Sequence, residues 1–250
     1  MSYRRARRGA AVLALCLGVL PTGGCSAVDG PVRRPASAAS VRPASAAVEP
    51  PVVMFLGDSY TVGERGTQPE NAYSAAVARL LGWQVIVGGR GGTGFVANGG
   101  RQPFGVMFES QLGWRPPPDL LIVSGGHNDW VHPAPRVGAA ARELLARARQ
   151  RWPKTRLALI GPIWGNEAPP PNAVAVRDAL RGVAGELGVP FVDPIGEQWI
   201  TGNRATGTGN ATGFIRSDGV HPTVEGHRYL AARLAEDLRR LGLAHPVRNR

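Results

Sequence analysis

The chain has 250 residues, 43% of them hydrophobic, which is enough for one ordinary domain with a sizeable core and leaves little room for a second large one. Its net charge of +11 comes from arginines spread along the chain, with Lys154 the sole lysine, and no stretch interleaves basic with aromatic residues, so no nucleic-acid partner is expected. Both cysteines, Cys16 and Cys25, precede the expected domain, which must therefore be stabilised by its core rather than by a disulfide.

In chain order, Arg4, Arg5, Arg7 and Arg8 form a positive cluster ahead of an apolar run, residues 10–20, that is too short to span a bilayer. Residues 1–25 are read as a signal peptide, which places the protein outside the cytoplasm, secreted or attached to the cell envelope. Thr22-Gly23-Gly24-Cys25 resembles a bacterial lipoprotein cleavage box, with Thr22 where an aliphatic residue is usual. Two readings stay open: membrane attachment through a lipidated Cys25, or an ordinary cleavage site with an incidental cysteine. Residues 26–50 are dominated by Ala, Ser, Pro, Val, Arg and Gly without hydrophobic period and are expected to be a disordered tether.

From residue 52 the pattern changes. Five short apolar runs, at 52–56, 84–87, 120–124, 157–160 and 189–192, are each stopped by Gly, Pro, Ser or Asp and predict buried strands. Helical patterns cover 72–81, 137–151, 174–187 and 223–241. Strands alternating with helices predict an α/β domain over 51–246, with a parallel sheet covered on both faces. In such a sheet, ligands bind where loops leave the carboxyl ends of the strands.

Four of those segments carry unusual residues. After the first strand, Gly57-Asp58-Ser59-Tyr60 is a small polar turn that can project a serine from the rim of the sheet. After the second, Gly88-Gly89-Arg90-Gly91-Gly92-Thr93-Gly94 exposes backbone N–H groups; it lacks the Lys-Ser or Lys-Thr of a phosphate loop and reads as an oxyanion-binding turn. After the third, Asn128 offers a side-chain donor that does not titrate. A metal reading of His127, Asp129 and His132 is disfavoured, because adjacent loop residues seldom converge on one ion. Ahead of the last helix, Asp218 and His221 share a tight turn, a spacing that lets the carboxylate hold Nδ1 while Nε2 faces a nucleophile. No Gly-x-Ser-x-Gly elbow is present, which excludes a conventional α/β-hydrolase.

Together the four segments resemble the SGNH/GDSL hydrolase family: Gly57-Asp58-Ser59-Tyr60 is similar to its first block, Gly92 to the glycine of the second, Gly126-His127-Asn128-Asp129 to the third, and Asp218-Gly219-Val220-His221-Pro222 to the last. The resemblance implies a flavodoxin-like three-layer α/β/α sandwich on a five-stranded parallel sheet. It also implies a Ser59, His221 and Asp218 triad, and an oxyanion hole of Ser59, Gly92 and Asn128, with Gly91 a rival for Gly92. Two departures stand out, Tyr60 where the family usually has leucine and Val87 where it has asparagine. The activity implied is carboxylic-ester hydrolysis through an acyl-enzyme, without a cofactor, by a monomer, on an acylated glycan, a lipid or a small ester. An acyltransferase using the same residues, or a silent carbohydrate- or lipid-binding module, are the alternatives. Phe95, Trp130 and Trp164 follow strand ends and are candidates to line the substrate pocket. The Gly-rich segment 201–217 is expected to hold no helix and to act as a mobile flap anchored by Phe214 and Ile215.

Overall fold

In the computed structural model of the protein, residues 49–64 and 67–247 are described. The expected signal peptide, Cys25 and all but the last two residues of the tether lie outside them. Five strands, β1 (Val52–Gly57), β2 (Gln84–Gly89), β3 (Leu120–Ser124), β4 (Arg156–Ile160) and β5 (Phe191–Val192), pair in parallel in the order β2-β1-β3-β4-β5. The last strand is shorter than expected because Pro190 has no N–H to give to the ladder; its carbonyl still accepts from Leu159.

Alternation along the strands sorts the core into two layers. Val53, Phe55, Leu120, Ile122, Ala158 and Ile160 face one side, against α2 (Tyr73–Leu81) and the C-terminal helix, α7 (Val224–Arg240), which pack on each other. Met54, Leu56, Leu121, Val123, Leu157 and Leu159 face the other. There they meet α3 (Phe104–Met107) with the π-type turn Phe108–Gly113 that continues it, and the paired helices α4 (Ala134–Arg151) and α5 (Pro171–Leu187). The expected three-layer sandwich is thus the architecture observed. Among the described residues no helix is long and apolar enough to cross a membrane.

The strand order reverses between β1 and β3, which opens a crevice at their carboxyl ends. At that point β1 and β2 come so close that a Cβ on Gly89, at φ 121°, would sit 1.8 Å from the Gly57 carbonyl oxygen. Only glycine tolerates both the conformation and the contact. The turn after β1 is thereby pressed against the turn after β2.

Segment 201–217 differs from expectation. It contains a 3-10 turn, Arg204–Thr206, and a short helix, α6 (Ala211–Phe214). It is also tied down: the Asn210 side chain accepts from Thr201 N–H and donates to the Trp199 carbonyl, and Arg204 donates to the carbonyls of Thr212 and Ile215. The expected anchors are in place, with Ile215 fully buried and the Phe214 ring stacked 4.6 Å from Tyr229. Side-chain to backbone bonds from Asn and Arg supply the order that the glycine-rich composition conceals.

Candidate active site

Directly after β1, Asp58 caps a single helical turn, α1 (Ser59–Val62), its side chain accepting from Tyr60 N–H at 3.0 Å while Gly63 closes the turn in the left-handed region. Ser59 is the first residue of that turn, so its N–H lacks an intrahelical acceptor. Burial, opposed by the Tyr60 N–H bond and aided by the charge of Asp129, pushes the Asp58 carboxyl up to about 7.

The turn ahead of α7 brings the base to the serine. His221 Nε2 lies 3.0 Å from Ser59 Oγ, and His221 Nδ1 lies 2.7 Å from Asp218 Oδ2. The other carboxylate oxygen, Asp218 Oδ1, accepts from the N–H groups of Val220 and His221 at 3.0 and 2.9 Å. Burial alone would raise the Asp218 carboxyl, but these backbone bonds and the His221 ring hold it down to about 2. An ionised Asp218 fixes the proton on Nδ1, and Nε2 is then free to accept from Ser59 Oγ.

In the turn after β2, Gly92 sits at φ 75° with its N–H unpartnered among the described residues, whereas Gly91 N–H donates to Glu64 Oε1 at 2.9 Å. Of the two rivals Gly92 is the available donor. Asn128 gives one Nδ2 hydrogen to the Thr93 carbonyl at 2.9 Å and retains the other. The turn after β2 is held by Asp129, a role that its position in the sequence does not disclose. Fully buried, its carboxylate accepts from the N–H groups of Phe95, Val96 and Ala97 at 2.8–2.9 Å. His127 is likewise engaged, its Nδ1 3.0 Å from the Ile163 carbonyl, and burial lowers it to about 4, so it is neutral at ordinary pH. Among the described residues no group of three potential ligands clusters as a metal site.

The three aromatic candidates separate. Phe95 is only 4% exposed and meets Phe104 edge to face at 5.2 Å, so it belongs to the core and not to a pocket wall. The Trp164 ring lies 4.5 Å from the His127 ring, tilted by 34°, and Trp130 meets Trp164 edge-on at 6.2 Å. These two form a ledge that continues through His127 to Tyr60, 5.5 Å farther on.

Tyr60 links the two halves of the site. Its buried hydroxyl, held protonated because burial raises it well above its usual value, donates to the Val220 carbonyl at 2.5 Å, and its ring lies 6.0 Å from that of His221. Leucine could make no such bond. Tyr60→Phe is expected to lower kcat about fivefold, the worth of one buried hydrogen bond, with KM changed less than about twofold. A loss confined to KM in steady-state ester hydrolysis would contradict this role.

Residues 55–229 match the sequence model of the GDSL-like lipase/acylhydrolase family. The GDSL lipase Rv0518 of Mycobacterium tuberculosis is 30% identical over 196 residues, which span 73% of this chain and 79% of that protein. Among solved structures, a family two carbohydrate esterase from Clostridium thermocellum in complex with cellohexaose superposes with TM-score 0.58 at 20% identity, covering 80% of this chain and 67% of that one. The aryl esterase of M. smegmatis does so with TM-score 0.55 at 19% identity, covering 76% and 99%. At these identities the two structures establish likeness of fold.

Proposed function

The chain belongs to the GDSL-like lipase/acylhydrolase family, whose members hydrolyse esters, and from that premise we propose an exported serine esterase that removes short acyl groups from polar alcohols. The observation that carries the chemistry is the relay from Asp218 through His221 to Ser59, at 2.7 and 3.0 Å.

In the proposed mechanism His221 Nε2 takes the Ser59 proton as Oγ attacks the ester carbonyl. The oxyanion settles among the N–H groups of Ser59 and Gly92 and the free Nδ2 hydrogen of Asn128. Collapse expels the alcohol, which leaves with the proton held by His221. Water, deprotonated by His221, then attacks the acyl-enzyme and releases the acid and the serine. Export rests on the basic and apolar leader, residues 1–25.

The preference for short acyl groups rests on shape. An apolar groove of about 530 Å³, lined by Trp114, Pro116 and Trp152, precedes β3 and β4 and so lies at the opposite end of the sheet from Ser59. An acyl chain on Ser59 does not reach that groove and gains no apolar wall from it. With nitrophenyl esters, kcat/KM for the octanoate is expected to be no higher than for the acetate, because the added methylenes bury no further surface. Rates that climb with chain length would sink the reading.

A further inference from the structure

The geometry points to the cleft between the segment after β4 and the segment after β5 as a subsite for a sugar ring carrying the ester. This rests on the esterase reading of Ser59 and names the alcohol half of its substrate.

The cleft adjoins the catalytic turn. A Cβ on Gly165 would lie 2.3 Å from the Gly219 carbonyl oxygen, so the chain at Trp164 and Gly165 runs directly against the turn that carries Asp218 and His221. Trp164, half-buried, forms one wall and is continuous through His127 with Tyr60, the neighbour of Ser59. An alcohol leaving Ser59 along this wall arrives in the cleft.

Its chemistry suits a ring with an apolar face and a polar rim. Trp164 presents an indole surface to C–H groups, with Trp130 propping it edge-on. Asn166 uses its Oδ1 on Ala168 N–H, which leaves both Nδ2 hydrogens for a ligand. Glu167 uses Oε2 on Gly202 N–H at 2.7 Å, which leaves Oε1 as an acceptor. Gln198 lines the same cleft with its side-chain amide unpartnered among the described residues. Donors and acceptors lining one cleft with an indole match the alternating hydroxyls of a sugar. An acyl chain there would strip water from three polar side chains and return no hydrogen bonds.

Gln198 supplies a separate indication. At φ 49° it is the one non-glycine residue in the left-handed region among the described residues. Glycine would adopt this conformation at lower cost, so what glutamine adds at the position is its amide.

The test uses two esters with the same acyl group, 6-O-acetylglucose and 4-nitrophenyl acetate, on the full chain. Gln198→Gly is expected to raise the ratio of KM for the sugar ester to KM for the phenyl ester about fivefold, the loss of one hydrogen bond, and Trp164→Ala about tenfold. Trp114→Ala, at the far end of the sheet, should leave the ratio at its wild-type value. Free glucose should inhibit phenyl-ester cleavage competitively, and Gln198→Gly should weaken that inhibition. Unchanged ratios in both cleft variants overturn the subsite, as does a wild-type enzyme that cleaves the phenyl ester and ignores the sugar ester. If neither ester is cleaved and a fluorophosphonate fails to label Ser59, the esterase reading falls with it.

Discussion

Ser59→Ala is expected to lower ester turnover by about 10⁴-fold or more while leaving thermal unfolding unchanged, because the hydroxyl makes one contact, with His221 Nε2, and no part of the core depends on it. His221→Ala should cost about as much. The double variant should be scarcely worse than either, since a nucleophile without its base and a base without its nucleophile are equally idle. What survives is the contribution of the oxyanion donors. Steady-state rates on 4-nitrophenyl acetate, together with fluorophosphonate labelling, measure this directly. Wild-type turnover in Ser59→Ala would remove the serine from the mechanism, and losses that multiply in the double variant would show that the two side chains act independently.

Asp129→Ala should be the most damaging change that touches no reacting group. Its carboxyl oxygens satisfy the N–H groups of Phe95, Val96 and Ala97, and a Cβ on Gly94 would lie 2.2 Å from Oδ2, so the turn is wrapped tightly around it. Truncation leaves three backbone donors without an acceptor. A cost of ~3 kcal/mol or more follows, equivalent to a fall in Tm of about 10 °C for a domain of this size. The same turn presents Gly92, so turnover should fall by about 10²-fold, the usual cost of one misplaced oxyanion donor. Asp129→Asn keeps one acceptor and should fall between. A Tm within about 2 °C of wild type in Asp129→Ala would mean that other groups hold the turn.

How readily each part of this chain can be read from its sequence depends on how local the governing interactions are. The strands are legible because burial on both faces writes a continuous apolar run, as in Leu120 to Val123, and α5 and α7 are legible from their period. The single turn α1 and the helix α6 are not, since four residues are too few to show a period and their order comes from caps and distant side chains. Asp218 and His221 declare their relationship through spacing within one turn. Asp129 does not, because its three partners lie 32–34 residues away and meet it only in the folded sheet. Phe95 resembles a pocket residue by its place after a strand, and the chain turns it inward against Phe104.

The nucleophile comes from the first strand of the sheet and the base from the last turn before the final helix, 162 positions later. A chain emerging in order from the ribosome therefore carries Ser59 long before it carries His221, and every intermediate length is inert. Hydrolytic competence arises only when α7 docks on α2 and sets its leading turn over the β1 rim. Hydrolysis of a fluorogenic ester would thus report completion of the fold, in the way that reassembly of a split enzyme reports the meeting of its halves. A chain cut between β5 and Asp218 into two fragments should regain activity only when the pieces recombine.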